Sequence, residues 1–238
     1  MSRKYRRIVL SVALAGLTAA YTVTCVAGPQ RSIVELFTSQ GCSSCPPADA
    51  LLGRLSADPA LLALSFHVNY WNSIGWKDPF SSQISTDRQY TYAHALGERT
   101  VFTPQLIVNG TRSVIGSQEN EIRKEIAKAS EATLPVSADL SKQADGSFNL
   151  QLAGPAVAAD VWEVRYVRRS VTKIRAGENG GRELETFNDV VQLHRLGSFQ
   201  PGVLKLEPLH QPADGLAVLV QKPSGGPILG VAAVSLSD

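Results

Sequence analysis

The chain has 238 residues, 44% of them hydrophobic and 18% charged, the balance of a folded globular protein and not of a disordered one. Its first 27 residues hold Arg3, Lys4, Arg6 and Arg7 and no acidic residue, so removing them takes the net charge from +2 to −2. The alkaline pI therefore belongs to the leader, and nothing in the remainder argues for nucleic acid as a partner.

Residues 1–27 read as a signal peptide: a basic start, an uncharged run from Ile8 to Ala27, and Cys25-Val26-Ala27 ahead of a mature terminus near Gly28. An uncleaved N-terminal anchor is the alternative, since Ile8 to Val26 is long enough to cross a bilayer. Either reading predicts a periplasmic or secreted protein. Cleavage would leave Cys42 and Cys45 as the only cysteines. In an oxidising compartment, one such pair points to redox chemistry or to a small structural loop.

In chain order, Ser32 to Thr38 is a mostly apolar run that suits a strand buried on both faces. Cys42-Ser43-Ser44-Cys45 follows, and Pro46 to Leu55 shows helical spacing of Ala48, Leu51, Leu52 and Leu55. Pro46 and Pro47 fall in the first turn, where prolines are tolerated. Leu61 to Val68 reads as a second strand, which completes a βαβ unit. An aromatic loop occupies residues 69–80, and a helix is expected from Ser85 to Leu96, ended by Gly97. Val101 to Val108 is a strand entered through Thr103-Pro104, and Asn109-Gly110 turns it into a partner strand over Arg112 to Ile115. A last helix runs from Ser117 to about Ala132. Leu134-Pro135 marks a boundary, after which short alternating runs separated by Gly-containing turns predict about seven antiparallel strands, a sandwich or a curled sheet. The domains expected are 28–133 (α/β) and 134–238 (antiparallel β).

The run from Val34 to Asp49, the block His67 to Phe80 and the block Val101 to Gly110 resemble the DUF1223 family, secreted bacterial proteins placed in the thioredoxin-like superfamily. The resemblance implies a thioredoxin-like fold for the first domain. Asn69 and Asn72 stand where that family usually carries Asp, and Gly41 stands where thioredoxins usually carry Trp.

On this reading Cys42 is the attacking thiol and Cys45 the resolving one; the alternative is a permanent cystine that staples the loop to the helix. The start of the following helix is expected to favour thiolate on Cys42 through its unpaired N–H groups and partial positive charge. Thr103-Pro104 resembles the cis-proline that faces the dithiol in thioredoxin-like proteins, where it would orient substrate; an ordinary trans proline at a strand start is the alternative. Glu35 is a candidate buried proton acceptor, although the corresponding thioredoxin acid sits one residue later, where this chain has Leu36; a Glu paired with a basic neighbour competes with that role. His67, Tyr70, Trp71 and Trp76 are candidates for substrate binding at the carboxyl end of the second strand, against packing roles for the tryptophans and a hydrogen-bonding role for His67. No metal and no cofactor is expected: one CxxC supplies two of the four ligands that zinc takes, and Met1 is the only methionine. The predicted function is thiol–disulfide exchange with a protein or small-molecule thiol or disulfide, a membrane-borne redox partner being one option. A binding protein with a structural 42–45 disulfide is the alternative.

Overall fold

A computed structural model describes residues 32–208 and 213–236; the predicted signal peptide lies outside them. Strands β1 (Ser32–Thr38) and β2 (Leu61–His67) are parallel, joined by helix α1 (Pro46–Leu55). A 3₁₀ turn (Tyr70–Ile74) and helix α2 (Gln83–Leu96) follow, the helix capped by Ser82 and stopped by left-handed Gly97. Strand β3 (Gln105–Val108) runs antiparallel to β1 and turns at Asn109-Gly110 into β4 (Arg112–Ile115). Both turn residues have positive φ, 47° and 69°, as such a tight hairpin requires. Helix α3 (Glu119–Ser130) ends the first half.

The second half supplies β5 (Ser137–Lys142), β6 (Phe148–Ala153), β7 (Asp160–Lys173), β8 (Glu183–Ser198), β9 (Gly202–Leu206), β10 (Gly215–Gln221) and β11 (Ile228–Ser235). Four of these, β7, β8, β10 and β11, join the strands of the first half in one sheet. One eight-stranded mixed sheet runs β11-β10-β7-β8-β2-β1-β3-β4, and β5-β6-β9 make a second sheet of three strands. This corrects the expected thioredoxin-like domain followed by a sandwich-like β domain: with three α-helices among the described residues, the architecture is a continuous sheet through both halves. The join is parallel pairing of β8 with β2 at Ser65 and Asp189. Every residue of β2 is buried, so an apolar strand that would otherwise present an open edge is covered by one from the other half.

The alternation of β1 sends Ile33 and Phe37 to the α2 side, where they pack with Phe66, Tyr92, Tyr166 and Leu219. Val34 and Leu36 face α1 and α3, against Ala48, Leu51, Leu52 and Ile122. A third core lies where Leu140, Phe148 and Leu150 of the small sheet cover Leu216, Val218 and Val220. Helix α1 rests on β8 as well as β1 and β2, close enough that a Cβ on Gly53 would stand 2.5 Å from the Phe187 ring.

Candidate functional site

Cys42 and Cys45 form a disulfide with Cα atoms 5.5 Å apart. It closes the loop between the end of β1 and the start of α1, with Cys45 at the N-cap position. The helix offers the sulfurs little donor capacity. Pro46 and Pro47 have no N–H, and the amides of Ala48 and Asp49 are taken by the carbonyl of Cys45. The expected stabilisation of a Cys42 thiolate by free helix amides is thus reduced to the helix dipole and the hydroxyl of Ser44, whose Oγ is 3.3 Å from Cys42 Sγ. The carbonyl of Thr103 stands 3.9 Å from the same sulfur, and Thr103-Pro104 is a cis peptide.

Three walls enclose the pair, and both cysteines are 0% exposed while Ser43 and Ser44 face solvent. The first wall is the 103–104 segment. The second is the aromatic loop. A Cβ on Gly41 would meet Trp71 Cβ at 3.1 Å, so the space a side chain at 41 would need is filled by Trp71. Trp71 Nε1 donates to Thr103 Oγ1 at 2.8 Å, Tyr70 OH to Gln89 Oε1 at 3.2 Å, and Trp76 Nε1 to Gln40 Oε1 at 3.1 Å. These three aromatics are half-buried and cross-link the loop around the disulfide. Asn72 accepts from the Asp78 amide and donates to Ser81 Oγ, a donor role that an Asp could not fill.

The third wall is the tip of the β7–β8 hairpin, residues 174–182. Buried Asn179 donates to the carbonyls of both Gln40 and Cys42, 3.0 Å each, and is itself held by Arg182. Glu178 accepts from the amide of Ser43 at 3.2 Å. Gly177, at φ 77°, fits its backbone against Trp76 and Gly75, where a side chain would crowd.

Beneath the disulfide the carboxyl ends of β1 and β2 carry a buried polar layer. His67 lies between two carboxylates, Nδ1 2.7 Å from Asp78 and Nε2 3.1 Å from Asp189, with all three side chains out of solvent. Burial opposes a charge on His67, but the Asp78 charge and the bonds to Asp189 and Asp78 outweigh it and hold the imidazole well above its ordinary pKa. Asp78 likewise overcomes its burial through His67 and sits below the usual carboxylate range; its second role is to accept from the amide of Gln40. His67 is therefore sealed and saturated, and supports the loop instead of facing a substrate.

Asp49, one turn after Cys45 on α1, is buried and accepts from Thr38 Oγ1 at 2.7 Å. Burial pushes its carboxyl up to about 7, against the partial relief of His67 and Thr38. Glu35 stands elsewhere. It lies on the α2 face of β1, paired with Arg88 at 2.5 Å and bonded to Tyr92 OH. The buried acid of the dithiol helix is Asp49, and Glu35 takes the ion-paired role. The spacing of Cys45, Asp49 and Leu52 could have revealed this, since positions i, i+4 and i+7 share one helix face.

Among the described residues no group of three or more His, Cys, Asp or Glu is placed to hold a metal ion, and no helix is long and apolar enough to cross a membrane. A sequence profile described as protein of unknown function (DUF1223) matches residues 33–221. A crystal structure of a protein from Agrobacterium tumefaciens is similar, with 30% sequence identity and a TM-score of 0.74 over 87% of this chain and 95% of that one. No curated protein matches the chain.

Proposed function

Since the chain belongs to the DUF1223 family, whose description assigns no activity, we propose from the site itself that it carries out thiol–disulfide exchange through Cys42 and Cys45, outside the cytoplasm. The observation that carries this is the closed disulfide on the same helix as Asp49, a buried acid one turn after Cys45, its carboxyl pushed up to about 7 by burial. A group poised near ambient pH can both give and take a proton. The basic leader and the presence of a formed cystine support an oxidising compartment.

In the oxidising direction, a substrate thiolate attacks Cys42 Sγ. The 42–45 bond breaks, a mixed disulfide forms, and the electron pair passes to Cys45 Sγ, which takes a proton from Asp49. A second substrate thiol then displaces Cys42, leaving a substrate disulfide and a protein dithiol. The reverse sequence reduces a substrate disulfide, with Cys42 attacking and Cys45 resolving. Thr103 orients the incoming chain, a reading supported by its carbonyl standing across from Cys42. Because neither sulfur is exposed, access requires the 174–182 tip or the aromatic loop to move aside.

That burial favours a second reading, a binding protein in which the cystine only ties the loop to α1. Redox titration in glutathione buffers, read by alkylation and mass, separates the two. A reversible transition between about −120 and −270 mV supports exchange, and a disulfide that stays closed below about −300 mV marks a staple. For exchange, Cys45→Ser traps a mixed disulfide on Cys42, whereas Cys42→Ser abolishes turnover; equal activity of both variants and wild type would sink the mechanism.

A further inference from the structure

On the other face of the large sheet, α2 does not seal completely against β7, β8 and β10. A pocket of about 190 Å³ remains between the helix, Trp162 and the β10–β11 turn, larger than the roughly 150 Å³ apolar cavity that takes up benzene in an engineered protein. Its sides are apolar: Leu193 is buried, Trp162 half-buried, and Ile84 stands at the rim, 42% exposed. The turn that closes one side is tightly placed, with left-handed Ser224 and Gly225 and a contact of Gly225 on Thr91 that leaves no room for a Cβ.

The inner end of the pocket is polar. Arg88 gives Nε to Glu35 and Nη2 to Tyr92 OH, and Nη1 has no protein partner among the described residues. Gln221 gives both bonds of Nε2, to Tyr92 OH and to the carbonyl of Gly226, which fixes the orientation of its amide. Its Oε1 has no protein partner among the described residues either. Among the described residues Ser65 Oγ, on β2 and away from the pocket, is the single sealed side-chain polar atom without a partner, so Arg88 Nη1 and Gln221 Oε1 are not sealed, and both side chains line the pocket. They leave the pocket one donor and one acceptor. The surroundings are charge-balanced: Glu35 offsets Arg88, Arg195 offsets Asp160, and Lys222 and Asp87 share the rim.

We propose that this pocket binds a small neutral aromatic carboxamide, its ring between Trp162, Leu193 and Ile84, its carbonyl on Arg88 Nη1 and its amide N–H on Gln221 Oε1. A carboxylate lacks the donor that Gln221 requires, and an ammonium lacks the acceptor that Arg88 requires; either leaves a buried polar group unpaired, which is how such sites discriminate. The site is independent of the cysteine chemistry.

The test titrates the oxidised protein with benzamide, and in parallel with benzoate and benzylamine, following Trp162 by NMR of its indole N–H. Benzamide is expected to shift that signal saturably, and the two ions to bind at least tenfold more weakly. Ile84→Trp, at an exposed position of α2, and Leu193→Phe, inside, should each abolish the shift; the first keeps the test open should the second fail to fold. Absence of a saturable shift, unchanged binding to Ile84→Trp, or equal affinity for all three probes overturns the proposal.

Discussion

Replacing Asp49 by Asn should flatten the pH dependence of stability of the oxidised protein. In the folded chain this carboxyl has its pKa pushed from 3.8 to about 7, by burial first and despite His67 and the Thr38 hydrogen bond. Ionising it is harder in the folded than in the unfolded state by about three pKa units, or about 4 kcal/mol. The sign follows from proton binding. A group whose folded pKa is raised holds its proton more tightly when folded, so its contribution is fully present below the unfolded pKa and is lost as pH rises through about 7. Between pH 5 and pH 8 the wild type should lose roughly 2–3 kcal/mol on this account. Asn keeps an oxygen for Thr38 and cannot ionise, so the loss attributable to position 49 should vanish. Urea unfolding of the oxidised wild type and variant at pH 5 and pH 8, with unchanged m-values, reads the difference directly. Parallel losses for the two proteins over that range would refute the assignment of a raised pKa to Asp49, and with it the proton-transfer role beside Cys45.

Two further outcomes follow from the same neighbourhood. His67→Leu leaves Asp78 and Asp189 buried without their shared cation, and should cost about 3–5 kcal/mol at neutral pH; a loss below about 1 kcal/mol in urea unfolding would mean that the imidazole is not charged there. With the folded pKa of His67 raised, its stabilising contribution is present below pH 6.5 and disappears only as pH rises through the higher folded value, so the wild type should weaken on the alkaline side. Asn179→Ala strips partners from the carbonyls of Gln40 and Cys42, should cost about 1–3 kcal/mol, and should speed reduction of the 42–45 disulfide by dithiothreitol; an unchanged half-time would show that the hairpin tip does not guard the sulfurs.

Local signals were legible in the sequence and long-range pairings were not. Strand β1, the proline-led α1 and the Asn109-Gly110 hairpin are specified by residues in contact with their chain neighbours. Alternation in β7 and β8 says which residues point to one face, but not that the β8 edge at Asp189 meets β2 at Ser65, 124 positions earlier. The single sheet was therefore hidden, and two domains were expected in its place. The site divides in the same way. Cys42, Cys45 and Thr103 could be brought together from motif and order. Glu35 was a candidate for the acid beside them, yet parity along β1 turns it to α2 while Thr38 and Asp49 meet on the α1 face. Asn179 falls in one of the Gly-containing turns, but where that turn lands depends on how a 14-residue and a 16-residue strand twist across the sheet.

The hairpin tip also sets an order of events in time. Its clamp on the Cys42 carbonyl joins residues 137 positions apart, and Asp189, which completes the cage around His67, comes later still. On the proposed extracytoplasmic reading, a chain that emerges N-terminus first exposes its two thiols before the hairpin tip arrives to cover them. Oxidation in that interval meets no clamp on the Cys42 carbonyl, whereas the finished cystine lies behind one. The bond can thus be made more readily before the tip docks than it is opened afterwards, which makes the folding history of the chain, as much as its equilibrium potential, a determinant of the state in which the protein begins its working life.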